Sequence, residues 1–395
     1  QMLYAHWVDS FVSGVWPYSP ALAGYPYPPL FIVTLAGFDL LPGPQWKMAI
    51  PLFACTIATG YLLFKIAYKL TGNERRATTI MLLYYINPFT LLYGSFGWLN
   101  PSLFVFFVVL AFYLALLRKD GWAIVSLGIA TMYKQLAVVF LPLLVLAFLK
   151  DLPSPSLGNR FKNLLKSTGI YILSILAISA PFLAVKGSVY LQQAFLGQIG
   201  YSIELLTSPT QITWPVTFNT FFVWVGAPAV VTIGIAYCLQ YYILLGGCAI
   251  VIFFNFSRLR APEMTSVPKS RNSFLVTELL FAALVLVFCL QLFFPHGSYK
   301  YYLMLLTPFI SLFYDFDNLS LTPLAESPKD ALFRWQSLAP VLLSWIIFLF
   351  DRNIYFLILL AWLLVYLQKK RKKWPKIALH AEGQKISVDD GSFNE

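Results

Sequence analysis

Apolar runs of membrane-spanning or nearly spanning length recur through most of this chain, at about 46–68, 76–95, 99–117, 168–187, 228–255, 273–295, 300–316, 335–350 and 353–368. A shorter pair lies at about 120–133 and 135–149. Chain inside hydrocarbon must satisfy its own N–H and C=O groups, so runs of this kind fold as helices crossing a core of about 30 Å. The expectation is an all-α polytopic membrane protein with about eleven transmembrane helices. Composition supports it: 59% of residues are hydrophobic, 11% are charged and mean hydropathy is +0.71. Such values exclude a water-soluble enzyme, a disordered chain and a disulfide scaffold. The four cysteines (Cys55, Cys238, Cys248, Cys289) lie in apolar stretches without metal-ligand spacing and read as small packing residues.

The net charge of +11 reports topology rather than nucleic-acid binding. Twenty-three of the 28 Lys and Arg fall in alternate loops, at 65–76, 118–119, 150–166, 258–271, 329–334 and 369–385. The positive-inside rule makes that side cytoplasmic. Residues 1–45 then form a large first outer loop, residues 46–368 the transmembrane domain and residues 369–395 a basic cytoplasmic tail. The run after Tyr27-Pro28-Pro29-Leu30 becomes an interfacial helix, because counting it as a span breaks the parity. The chain opens on Gln1 without a signal-peptide pattern, and a further helix upstream, making about twelve, is expected.

Residues 120–149 have cytoplasmic flanks on both sides, Arg118-Lys119 and Lys150, so they must form a hairpin. Each arm of about 14 residues is roughly 21 Å long, short of the bilayer core. Its tip is Tyr133-Lys134-Gln135. A lysine held below the outer interface is costly and points to an anion in a polar cavity, the alternative being a side chain that snorkels to the surface.

The remaining polar groups gather on the outer side. The first loop carries His6, Asp9, Trp16-Pro17-Tyr18 and Tyr27-Pro28-Pro29-Leu30, and the next outer turn runs from Tyr93 to Asn100-Pro101. A late loop holds His296 and Lys300, four apart and on one helix face. Each has a plain structural alternative. The Pro-Pro pair suits a rigid turn, Asn100-Pro101 suits a helix cap with Pro at the first helical position, and His296 and Lys300 suit interfacial anchors. Asp39 reads as a structural charge near a helix end.

Taken in order, Gly14-Val15-Trp16-Pro17-Tyr18 with Tyr27-Pro28-Pro29-Leu30 resembles the opening loop of the GT-C class of integral-membrane glycosyltransferases. The turn from Gly94 to Asn100 is similar to their Gly-rich turn ending in Asn or Asp. Tyr133-Lys134-Gln135 resembles the Lys-Gln of the dolichol-pathway glucosyltransferases, and His296 to Tyr301 resembles their late His-x-x-x-Lys-Tyr-like loop. The likeness runs the length of the chain through short, degenerate motifs.

The resemblance implies inverting transfer of a hexose, mannose or glucose, from a polyprenyl- or dolichyl-phosphate donor. The acceptor is a lipid-linked glycan or a protein at the lumenal or exoplasmic face. It implies donor-phosphate contacts from Lys134, Gln135, His296 and Lys300, a substrate loop including Tyr18, Tyr27 and Asn100, and a carboxylate base in the first outer loop. Asp9 is the acid left in that loop ahead of Pro17, while alignment on the Gly14–Tyr18 stretch places the family's own Asp at or just before Gln1. No metal or other cofactor is expected. The setting is the endoplasmic reticulum membrane or a prokaryotic plasma membrane. Two other readings stay open: a transporter or lipid flippase, disfavoured because no matched pair of interrupted helices stands out, and a non-catalytic subunit of a glycosyltransferase complex.

Overall fold

The computed structural model describes residues 2–19, 25, 27–97, 100–150, 157–196, 279–288, 290 and 300–313, with isolated positions at 246, 344–345, 358, 360–361 and 363–364. Among these the regular structure is helical, with no strand. The chain divides into the units 1–341 and 342–395. In the second only scattered helical positions are described, and the basic tail 369–395 lies outside them.

Two short helices, α1 (Met2–Val12) and α2 (Pro29–Asp39), occupy the first loop. Helix α2 begins as the Pro-Pro pair suggests. Pro28 is extended (φ −57°, ψ 160°) and Pro29 takes the first helical position, where its missing N–H costs nothing. Eleven residues give about 16 Å of helix, too short to span. The end of α2 is tied down by Asp39, which pairs with Lys47 at 3.1 Å, so Asp39 is structural. Lys47 also donates to the carbonyls of Asp39 and Leu41.

Helix α3 (Ile50–Thr71) turns at Gly72 (φ +68°) into α4 (Glu74–Ile86), with Asn73 as the N-cap accepting from Arg76 N at 3.0 Å. Helices α5 (Pro101–Leu116) and α6 (Asp120–Tyr133) follow, then a 3-10 turn (Gln135–Phe140) and α7 (Leu141–Lys150). The 35-residue α8 (Leu157–Leu191) ends the continuous part. Helix α5 packs between α3 and α6, and α6 against α8. Ser126 Oγ donates to Phe107 O (2.8 Å) across α5–α6, and Thr131 meets Tyr171 (2.8 Å) across α6–α8. Gly128 permits the second approach, since a Cβ there would lie 1.9 Å from Ser174 Oγ.

Among the described residues two helical stretches are long and apolar enough to cross a membrane, Gln45–Thr71 and Gly158–Ala194. The expected span at 76–95 is instead interrupted. Pro88 cannot donate to a helix and forces Asn87 into the extended region (ψ 128°), after which Thr90–Phe96 winds as a π-helix. The run at 300–316 likewise divides into a 3-10 turn (Lys300–Leu305) and a short helix (Thr307–Leu312). The runs at 228–255, 335–350 and most of 273–295 and 353–368 lie outside the described residues.

Candidate functional site

The hairpin breaks at Lys134. Its backbone is extended (φ −156°, ψ 124°) between the last residue of α6 and the 3-10 turn, and its side chain is buried, 3% exposed. The ammonium lies 4.5 Å from the centre of the Tyr27 ring, where the face of the π-system stabilises a cation. Tyr27 therefore joins the first loop directly to the hairpin tip.

Around this pair the first loop folds as an aromatic pile. The Tyr18 hydroxyl donates to Tyr27 O at 2.9 Å, and that of Tyr25 donates to Pro28 O at 3.0 Å and accepts from Ile32 N at 3.1 Å. Trp7, Tyr18, Tyr25 and Tyr27 meet edge to face with centroids 5.3–6.0 Å apart, the geometry aromatic quadrupoles prefer. Burial raises the phenol of Tyr4 to about 12 and pushes those of Tyr18 and Tyr25 well up too. These phenols stay protonated at physiological pH, so they act as hydrogen-bond donors and cannot serve as the general base.

Asn100 stands on the other flank. Pro101 occupies the first position of α5 as its sequence suggests, but the Asn100 side chain makes no cap bond and its backbone is already α-helical (φ −45°, ψ −35°). Its Nδ2 donates to Tyr133 O at 3.3 Å, beside the hairpin break. The Tyr4 hydroxyl lies in hydrogen-bonding contact with the Tyr27 side chain and the Asn100 backbone. Tyr133 itself shares a 2.8 Å hydroxyl contact with Thr34 of α2.

The turn that delivers Asn100 is held by small residues. A Cβ on Gly94 would meet Met304 at 2.8 Å and Thr56 at 3.0 Å, so glycine allows the π-turn to press onto α3 and the Lys300–Leu305 segment. Gly97 N closes the turn on Leu92 O at 2.6 Å.

On the third flank α8 leaves its helical path at Lys186 (φ −150°, ψ 68°) and returns toward the hairpin. Tyr190, fully buried, meets Ser179 Oγ at 2.7 Å and stacks edgewise on Tyr18 at 5.2 Å. The Gln135 side-chain amide donates to the carbonyl of Ala194.

Of the residues singled out in the sequence, Tyr18, Tyr27, Asn100, Lys134 and Gln135 thus come together at one end of the helices. Asp9 does not join them: it is exposed on α1, roughly 140° around the helix from Tyr4 at 100° per residue. Lys300 opens a segment packed on α5 and on the π-turn; its side chain and all of His296 lie outside the described residues. Tyr4, Tyr25 and Tyr190 escaped the sequence reading, and Tyr133 entered it only as part of the hairpin-tip motif. For Tyr4 and Tyr25 the signal was the density of aromatics in the first loop. Among the described residues no group of three His, Cys, Asp or Glu could hold a metal ion.

A helical bundle with a buried cation facing aromatic and amide groups is a class of site suited to binding a polar, anionic ligand. Residues 2–150 match the family model of the alpha-(1->6)-mannopyranosyltransferase N-terminal domain, which supports a glycosyltransferase acting on mannose. The matched stretch holds Tyr18, Tyr27, Asn100, Lys134 and Gln135. No curated protein and no solved structure matches the chain.

Proposed function

We propose that the chain is a multi-pass, GT-C-type mannosyltransferase that takes mannose from a polyprenyl-phosphate donor and passes it to a lipid-linked or protein acceptor at the outer or lumenal face. The observation that carries this reading is the buried Lys134 ammonium, presented on the face of Tyr27 at a break between helices. A cation already stripped of water by folding adds no desolvation cost of its own when it meets a lipid phosphate. As the glycosidic bond breaks it also stabilises the charge growing on the leaving phosphate, the preorganised electrostatics that dominate such steps. Gln135 and, from the late loop, His296 and Lys300 complete the phosphate contacts. The family match favours mannose over glucose and suggests an α-(1→6) product. Inversion to an α product requires a β-linked donor.

A carboxylate base deprotonates the acceptor hydroxyl, with Asp9, exposed on α1 and outside the cluster, as its candidate in the first loop. About eleven spans with residues 1–45 outside complete the topology. It expects a cysteine at Gln45 to react with an impermeant reagent added outside, and one at Lys119 to react only from within.

The test is transfer by the reconstituted full-length protein. β-Linked polyprenyl-phosphate mannose should yield a mannosylated lipid acceptor, whereas a sugar nucleotide should yield none. Transfer from the nucleotide alone would overturn the reading.

A further inference from the structure

Asn100 is the residue the fold leaves half used. Asparagine ahead of a helix normally turns its side-chain oxygen onto the first free backbone N–H groups. Here it does not cap. The Nδ2 half donates to Tyr133 O, while Oδ1 is buried with no hydrogen-bond partner among the described residues, and the residue is 1% exposed. An unmet carbonyl oxygen away from water is costly, and in a native site it calls for an explanation. Its surroundings supply one. Asn100 is joined to Lys134 by two routes, through the Tyr133 carbonyl and through Tyr4, which touches both the Asn100 backbone and the Tyr27 ring that carries the ammonium. Tyr133 and Lys134 are consecutive, so this hydrogen bond holds Asn100 beside the residue proposed to carry the donor phosphate. A side-chain carbonyl can only accept, and a sugar offers hydroxyl donors.

From this we infer that Asn100 Oδ1 accepts a hydrogen bond from one hydroxyl of the transferred hexose while its Nδ2 fixes the hairpin tip, making Asn100 a specificity-determining residue of the donor site. The inference rests on the proposed reading that Lys134 binds the donor phosphate. It separates the two halves of one amide: the nitrogen positions the protein, and the oxygen reads the sugar. A site built to pair with a hydroxyl rejects the analogue that lacks it far more strongly than an apolar pocket rejects a lost methylene.

The experiment is equilibrium binding of polyprenyl-phosphate mannose and its 2-, 3-, 4- and 6-deoxy analogues to the full-length protein, compared with Asn100→Ala and Asn100→Asp. The wild type should bind one deoxy analogue about tenfold or more weaker than the parent. Asn100→Ala should bind parent and that analogue alike, and Asn100→Asp, which keeps an acceptor oxygen but loses the donation to Tyr133 O, should keep the preference with weaker binding of both. Binding of the parent with no preference at any hydroxyl, as a water on Oδ1 would give, overturns the inference and leaves the donor reading standing. So does a preference that persists in Asn100→Ala. Failure of the wild type to bind parent and analogues alike overturns the donor reading, and the inference with it.

Discussion

Asn73 and Asn100 both stand just before helices and behave oppositely. Asn73 follows Gly72, whose left-handed backbone ends α3, and its side chain caps α4 through Arg76 N. Thr71 completes that turn, donating to Ala67 O and accepting from Asn73 N. Every local preference there agrees with the fold. Asn100 stands at the opposite end of α3–α5 and breaks the rule: no cap, a π-turn before it, and an extended lysine across from it. Sequences tend to depart from local rules at functional positions. The contrast therefore separates a turn that only connects helices from the end where the donor site is proposed.

The largest expected effect breaks the comparison by charge. Neutralising Lys134 as Lys134→Gln should lower mannosyl transfer by about 10²–10³-fold, the scale lost when one preorganised electrostatic contact is removed. The same change at exposed Lys119 should leave turnover unaffected. Asp9→Asn should lower transfer by about 10²-fold or more with donor binding unchanged, the scale of general-base loss. Near-wild-type turnover would remove Asp9 from the reaction. Gly128→Val forces a branched side chain against Ser174 and should destabilise the α6–α8 contact by about 1–3 kcal/mol, read as a lowered Tm. The smallest effect sharpens the comparison from the other side. Asn73→Ala should cost about 1 kcal/mol of stability through the lost cap, without changing turnover per folded molecule.

Much of this arrangement was legible in the sequence, for reasons that differ by residue. The break at Lys134 followed from arms too short to span between cationic flanks, and the start of α2 followed from Pro28-Pro29. The coming together of Tyr18, Tyr27, Asn100, Lys134 and Gln135 was suggested by their common outer side, which motif order alone could not have turned into contacts. Which of its two readings Asn100 follows, helix cap or site residue, was not legible. A side chain before proline looks identical whether it caps its own helix or reaches to Tyr133, because the choice is made by a residue 33 positions away. The interruption at Asn87-Pro88 was hidden by uniform hydropathy, although the proline itself marked the position. The partnership of Tyr190 with Tyr18 depends on the bend at Lys186, where Lys186-Gly187-Ser188 marked the end of an apolar run but not the direction the chain takes beyond it.

The central claim is that the Lys134 end of the molecule binds the donor by its phosphate. It is tested most directly by titrating the full-length protein with β-linked polyprenyl-phosphate mannose and with the uncharged polyprenyl mannoside that lacks the phosphate. The account predicts that wild-type protein binds the phosphate-bearing lipid far more tightly, and that Lys134→Gln erases the difference while the protein stays folded. A difference that survives in Lys134→Gln would contradict it and place the phosphate elsewhere.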